Sequence, residues 1–515
     1  GLKVSHYDLD LKYKPSRGIL DARCVLTIAN EGPAAATQAP LLLNRFLECT
    51  PAIGVDSSFT IEKIHDLLIL NPASAILPDT TRAFELTYSG PLTADNTARA
   101  FEISQKKCFT QPWILKDFDL FYPQVPSLNE GIKTGDFFTA RTRLSINGKT
   151  HLTILSPGHL KDGWFVSEHP LSSLHFVAGP FNHTQRTIEG IPVHMYSLPG
   201  RHEIAEVFLA DAEFMLRDTF QLLGGYPDGE LLISDADWGR IYLYPQQVLC
   251  FNLDLLLQWK TRADAFSEKY RHQMDRRSYF MYLEQYQAEF FQDQLVRRSF
   301  QDVIYPAGPM ADLLTGAWPD YISHIVKAGA PERLVPYPGF FIRANKASSY
   351  RRRSLKGLIQ DRDYQKHTAI EKEILTHRSK ALFHMLRYLM GDDKFVQLIQ
   401  TSLDRLAWRE VSFEQFTALA EETAGEDLDW FFDQWIDQPI LPEYVLHGCE
   451  AWFFDDPSTA GVEYRVVIDV ENAGTGKMPV PVYLKTEGDE IVERVMLEAG
   501  RRRKVIIDVP DRPQF

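Results

Sequence analysis

Cysteine is scarce. The chain has 5 cysteines in 515 residues, at Cys24, Cys49, Cys108, Cys250 and Cys449, odd in number and widely scattered. That excludes a disulfide framework and a CxxC zinc site. It leaves the compartment open, because a large core does without disulfides anywhere. An excess of basic charge is also lacking: 55 Lys and Arg against 69 Asp and Glu leave −14, which argues against a general nucleic-acid-binding surface. No apolar run reaches the ~18–20 residues that a membrane span requires. A Gly-x-Ser-x-Gly elbow, a P-loop and a dinucleotide-type glycine fingerprint are all missing, so serine-hydrolase triads and nucleotide sites have no support. Repeats and low-complexity tracts are absent as well. The chain opens on Gly1 with no charged-plus-apolar leader, and a processed or excised piece is expected.

What is present is length and pattern. At ~100–200 residues per domain, roughly three domains are expected. The first stretch alternates as strands do, in His6 to Tyr13, Cys24 to Ile28 and Phe84 to Tyr88. Two more strand-like runs, Arg141 to Ile146 and Thr150 to Leu155, flank Asn147-Gly148, which predicts a hairpin. A large antiparallel sheet domain follows from this spacing. From Arg201 the period becomes helical: Ile204, Val207, Phe208, Ala212, Met215 and Leu216 share a face, and Gly224-Gly225-Tyr226-Pro227 ends it. A short apolar stretch, Glu230 to Ser234, precedes helical patterns that run to about residue 438. Leu382, Met385, Leu386 and Leu389 form one stripe, stopped by Gly391, and Ser412 with Gln415 predicts a capping box. Alternation returns in Glu463 to Val470, Val480 to Leu484, Val492 to Leu497 and Lys504 to Val509, as in a small β-sandwich.

Four segments, in order, resemble the zinc aminopeptidase family of aminopeptidase N and leukotriene hydrolase. His6-Tyr7-Asp8-Leu9-Asp10-Leu11 is similar to the family's opening strand, and Gly224-Gly225-Tyr226-Pro227 to the helix end before its first catalytic-domain strand. Phe383-His384-Met385-Leu386-Arg387 with Gly391 to Phe395 resembles a helix near its catalytic tyrosine. The run from Phe432 to Pro442 resembles its link into a C-terminal sandwich. The resemblance implies a gluzincin, multidomain α+β fold. Its parts are an N-terminal antiparallel, saddle-like β domain (1–197), a thermolysin-like mixed α/β to helical domain (198–440) and a C-terminal β-sandwich (441–515).

The family's zinc chemistry needs His-Glu-x-x-His on a helix, so that two imidazoles at i and i+4 reach one metal, and a further glutamate after eighteen residues. The resemblance places the two histidines on Asp293 and Arg297, the catalytic glutamate on Gln294 and the third ligand on Gly316. The family's tyrosine falls near Thr376, and its exopeptidase loop on Arg240 to Gln247, a stretch without a carboxylate. Arg297 has no lone pair for a metal, and Gln294 cannot act as a general base. The acid at 293 and the base at 297 instead stand in the favourable order for a helical ion pair. Pro319 is expected to start or kink a helix there.

The resulting expectation is a catalytically inactive aminopeptidase-like protein, a pseudopeptidase, that binds a peptide or protein partner through the former active-site cleft. Trp238, Tyr242, Tyr244, Asp320, Tyr321 and His377 are the residues expected to line it. No cofactor, no nucleic acid and no membrane span in the chain are expected. Related bacterial domains occur attached to ABC-transporter permeases, so a membrane-protein partner or an attached membrane domain is a further expectation. The alternative is a metal-independent enzyme using Asp293, Arg297, Asp320, Tyr321 and His377 in the same cleft. The remaining histidine patterns read as ordinary residues. His202-Glu203-Ile204-Ala205-Glu206 belongs to a surface helix face, His183, His194, His169 and His175 are satisfied or exposed, and His377 and His384 pack at a core edge.

Overall fold

Alternate side chains of the opening segment, Tyr7, Leu9, Leu11 and Tyr13, are buried, and this makes Leu2–Lys14 the spine of a seven-stranded sheet. The order across that sheet is His159–Lys161, Trp164–Val166, Thr139–Ile146, Leu2–Lys14, Ile19–Asn30, Thr80–Pro91 and Glu48–Pro51. In the computed structural model, residues 1–14, 17–52, 59–92, 113–115, 119–126, 137–148, 151–236, 248–250, 292–327, 354–359, 369–438, 443–453 and 463–514 are described. They fall into two compact units, Gly1–Tyr305 and Pro306–Phe515. Of the expected domain boundaries, residue 197 ends the strand Ile191–Ser197, and residues 440 and 441 lie outside the described residues.

In the first unit the sheet's inner face buries Leu9, Leu11, Cys24, Leu26, Phe84 and Leu86 in one core. On the other face Asp8 pairs with Arg141 at 2.9 Å and Asp10 with Arg143 at 2.6 Å. Both guanidinium groups lie over the Trp164 ring, at 3.8 and 4.2 Å.

Two expectations about this sheet are corrected. The sheet is mixed, because Leu2–Lys14 runs parallel to Thr139–Ile146, from His6 opposite Thr139 to Tyr13 opposite Ile146. Among the described residues the Asn147-Gly148 hairpin is not found: Thr139–Ile146 pairs with Leu2–Lys14 and Trp164–Val166, while Thr153–Leu155 joins another sheet beside Phe176–Gly179. Gly148 still turns the chain with φ 72°. The long strand Leu2–Lys14, with alternate residues buried, offers more burial than a short local partner, and tertiary pairing overrides the turn signal.

A four-stranded sheet follows, in the order Asn182–Ile188, Ile191–Ser197, Leu231–Ser234, Val248–Cys250. Ile191–Ser197 and Leu231–Ser234 are parallel, which requires a crossover, and the helix His202–Leu223 supplies it. Ala205, Leu209, Ala212, Leu216 and Phe220 on that helix pack on Val193, Met195, Leu231 and Ile233. Gly224, at φ 76°, ends the helix in the left-handed conformation, as its place in the sequence predicts.

The second unit begins with helices packed on aromatic rings. Trp318, fully buried, lies 4.9 Å from Phe383, 5.4 Å from Phe395 and 5.2 Å from Phe416, centroid to centroid. These rings come from the helices Ala317–Lys327, Ala369–Met390, Asp392–Leu406 and Phe413–Ala424. The capping box forms: Ser412 Oγ accepts from Gln415 N–H at 3.3 Å, and Gln415 Oε1 accepts from Ser412 N–H at 2.8 Å. After Asp429–Phe432 a π-helical turn, Asp433–Asp437, carries Gln434, whose amide exchanges two hydrogen bonds with the Lys477 backbone at 2.6 and 2.9 Å. The strands Tyr444–Phe453, Tyr464–Asn472 and Arg502–Val509 form one sheet and Met478–Lys485 with Glu490–Leu497 another. Both contribute to one core around Val466, Ile468, Leu484, Val495 and Val505. Among the described residues no helix is long and apolar enough to cross a membrane.

Candidate functional site

The positions singled out in the sequence fall in both units. In the first unit, residues 292–301 form a helix. Gln292, Gln294, Leu295, Val296, Arg298, Ser299 and Phe300 on it are buried, so its open stripe is Asp293, Arg297 and Gln301, one helical turn apart. Arg297 Nε donates to Asp293 Oδ2 at 2.8 Å, with the two side chains 27% and 17% exposed. Gln294 Nε2 reaches the same carboxylate oxygen at 3.5 Å. The i,i+4 geometry thus fills the space between the two turns with a half-buried ion pair.

Beneath the stripe is a charged layer. Arg298 is buried, and its Nη1 donates to the Val248 carbonyl at 3.4 Å. Burial pushes the nearby Asp302 carboxyl up to about 7, against the pull of Arg298 and with Asp228 adding to the rise. Burial also raises the Tyr226 hydroxyl.

In the second unit, Gly316 stands between the helical turn Asp312–Thr315 and the helix Ala317–Lys327. The hydrogen-bond ladder crosses the break, from Gly316 N to Asp312 O at 3.0 Å and from Asp320 N to Gly316 O at 3.2 Å. A Cβ at position 316 would lie 3.1 Å from the Asp312 carbonyl oxygen. Pro319 falls in the helix's first turn, where its missing N–H leaves no bond unmade. The expected cleft residue Asp320 pairs with Lys380 at 3.2 Å, both side chains mostly buried. Tyr321 is 1% exposed, and its hydroxyl meets His384 Nδ1 at 2.9 Å. Burial pushes Tyr321 up to about 12, and burial together with Arg387 and His324 pushes His384 down to about 3. Arg387 donates to Asp392 at 2.7 Å. Asp320 and Tyr321 are therefore held to the helix Ala369–Met390 by residues that the reading of the sequence did not pair with them.

Trp238, Tyr242, Tyr244 and the loop Arg240 to Gln247 lie outside the described residues, as do the side chains of Thr376 and His377. Besides Asp302, Asp312 was not singled out in the sequence. Burial pushes Asp312 up to about 6, and its Oδ1 is shut off from solvent. The near-zinc pattern at His202 dissolves into a helix face, with Glu206 pairing with Arg186 at 3.0 Å. A cavity of about 360 Å³ in the second unit, between Phe413, Phe432 and Ile436, is lined by none of the expected site residues.

No protein-family model and no curated protein matches the chain. Solved structures do. An M1 zinc metallopeptidase from Deinococcus radiodurans superposes with a TM-score of 0.55 at 16% identity, over 86% of this chain and 96% of that one. A mutant of that enzyme bound to a Tyr-Ser-Ala substrate superposes with a TM-score of 0.54, also at 16% identity, over 86% and 96% of the two chains. Legionella pneumophila aminopeptidase A, in complex with aspartic acid, gives 0.54 at 13% identity, covering 99% of this chain and 58% of its own. The chain has the multidomain mixed α/β fold of the M1 zinc metallopeptidases, the aminopeptidase fold.

Proposed function

We propose that this chain is an aminopeptidase-fold protein without zinc-peptidase chemistry, and that it binds a peptide or protein partner through the former active-site cleft. The observation that carries this reading is the Asp293–Arg297 ion pair at 2.8 Å. It lies at the positions where resemblance puts the two metal-binding histidines. The donor set there does not fit zinc. The Asp293 carboxylate is engaged by a guanidinium, Arg297 has no lone pair, Gln294 offers only an amide, and Gly316 offers no side chain. No metal-activated water is available from such residues, and Gln294 cannot take its proton.

What such a site retains is recognition. A peptide's charged ends would have to compete for the Asp293–Arg297 pair, and Gln301 on the same open stripe carries an amide for a backbone group. The test is isothermal titration with Tyr-Ser-Ala, the peptide seen with the Deinococcus mutant. Saturable binding that is weakened by Arg297→Ala supports the reading, and no binding at millimolar peptide overturns it. Co-purification with a membrane component tests the further proposal that the partner is a transporter-type protein.

One observation favours a second reading, metal-independent catalysis. Asp312 stands one turn before Gly316 with its Oδ1 enclosed and no hydrogen-bond partner found for it, and burial raises its proton affinity, as in a carboxyl suited to general acid–base work. Should any turnover be found, Asp312→Asn abolishes it under this reading, while an unchanged rate discards it.

A further inference from the structure

The cavity of about 360 Å³ in the second unit plays no part in the proposed function, and its lining is of two kinds. Phe413, Phe432 and Ile436 give it apolar walls, each residue at most 7% exposed. Its mouth is acidic. Asp429, Asp433 and Asp437 follow at four-residue steps along the helical stretch Asp429–Phe432 and the π-helical turn Asp433–Asp437. Glu414 joins them from the helix Phe413–Ala424. Phe432 and Ile436 fall between the three aspartates in one i, i+3, i+4, i+7, i+8 stripe, so acids and apolar groups alternate along the same wall. Like charges four residues apart repel, and Asp437 stands at the negative end of the stretch. The row therefore costs stability by itself and gains from a cation.

The chain shows what the mouth attracts. Lys356, from the short helix Leu355–Ile359, reaches Asp437 at 2.6 Å. Asp437 first, then Glu414 and Asp433, raise the proton affinity of its ammonium, so three of the four carboxylates act on one cation. Asp429 is not among them. It stands instead with Asp427 and Glu421, their carboxylate oxygens within 4.8 Å of one another. The mouth thus has two anionic poles, with Phe432 and Ile436 in the stripe that joins them.

We infer that this cavity is a binding site for a small aliphatic diamine, with one ammonium at Asp429, the other among Glu414, Asp433 and Asp437, and the methylenes against Phe413, Phe432 and Ile436. Charge selects a dication, because four carboxylates and one lysine leave −3. The apolar walls select an organic one. Ca²⁺ and Mg²⁺ take shells of oxygen and gain nothing from rings or alkyl groups, whereas ammonium and methylene groups both lie favourably on aromatic faces. Size selects a small one, since about 360 Å³ stands at the low end of the ~300–1,000 Å³ of small-molecule pockets. The Gln438 amide donates to Asp433 at 2.6 Å and orients that carboxylate without cancelling its charge. The site shares no residue with Asp293, Gln294, Arg297 and Gly316, so it stands or falls apart from the proposed function.

The full chain is titrated by calorimetry with putrescine, a four-carbon diamine, at low salt near pH 7.5, with butylamine and Mg²⁺ as comparison ligands. One putrescine per chain is expected, bound roughly tenfold more tightly than butylamine because the second ammonium adds a charge-assisted contact. Asp433→Asn and Glu414→Gln, both at exposed positions, should each weaken binding about two- to fivefold, as the loss of one exposed charge contact does. Lys356→Met removes the competing ammonium and should strengthen binding by a similar factor. Thr417→Trp fills the cavity with every charge in place and should abolish binding, with thermal unfolding confirming that the variant is folded. Glu450→Gln, on the exposed strand Tyr444–Phe453, should change nothing. A parent chain that putrescine does not saturate, or that binds butylamine or Mg²⁺ as tightly, overturns the assignment. So does an affinity unchanged in Asp433→Asn and Glu414→Gln.

Discussion

His384 should give the second unit an acid-sensitive helix. The ring is 3% exposed, and its Nδ1 is bound to the Tyr321 hydroxyl at 2.9 Å. Burial first, then Arg387 and His324, hold it down at about 3. An unfolded histidine takes up its proton near 6.5, whereas the folded one refuses it until about 3. Between those values the unfolded state binds the extra proton. Stability is therefore complete above 6.5 and drains as the pH falls toward 3. The displacement sets a ceiling of about 5 kcal/mol, of which about 2.7 kcal/mol is lost by pH 4.5, a roughly hundredfold rise in opening. Hydrogen exchange of peptides within Ala369–Met390 reads this directly, at matched pH in the parent chain and in His384→Gln. The glutamine keeps an acceptor for Tyr321 but has no proton to take up. It should cost about 1–3 kcal/mol at pH 7.5 and then show a much flatter dependence. Parallel profiles for the two proteins from pH 7.5 to 4.5 would refute the buried, neutral imidazole.

Asp302 carries the opposite sign in the first unit. Its acid form is favoured by folding between about 4 and about 7, so stability is lost as pH rises through that window. Asp302→Asn should protect residues 292–302 more at pH 8 than at pH 4, with a ceiling of about 4 kcal/mol, and a difference independent of pH would contradict the shift. Arg297→Ala leaves Asp293 half-buried without its partner and should cost about 1–2 kcal/mol in urea unfolding, between the exposed and the fully buried limits. Ser412→Ala removes one half of the capping box and should cost about 1 kcal/mol, seen as faster exchange in the first turn of Phe413–Ala424.

Much of the fold was legible because its signals are local. Alternation in Tyr7, Leu9, Leu11 and Tyr13 marked a half-buried strand. The stripe from Ile204 to Leu216 with Gly224 behind it marked the crossover helix, and Ser412 with Gln415 marked a helix start. Failures came where a distant partner decided the outcome. Asn147-Gly148 carries a strong hairpin signal, yet Thr139–Ile146 gains more by lying along Leu2–Lys14. In the candidate site, the i,i+4 spacing of Asp293 and Arg297 was readable and the ion pair follows from it. The partnership of Tyr321 with His384, 63 residues apart, was not readable, because no periodicity encodes which helices meet. Asp302 and Asp312 escaped for a related reason: burial raises a carboxyl's proton affinity, and burial of a charged residue is a tertiary fact.

The central claim is that this aminopeptidase fold holds peptides without cutting them. Its most direct test supplies the full chain with excess Zn²⁺ and a tripeptide bearing a free amino terminus, then follows the mixture by mass spectrometry while calorimetry reports binding. The account predicts that the peptide is bound and stays intact, at the rate of the zinc-only control. Release of the amino-terminal residue above that control, lost on chelation and in Asp293→Ala, would contradict it.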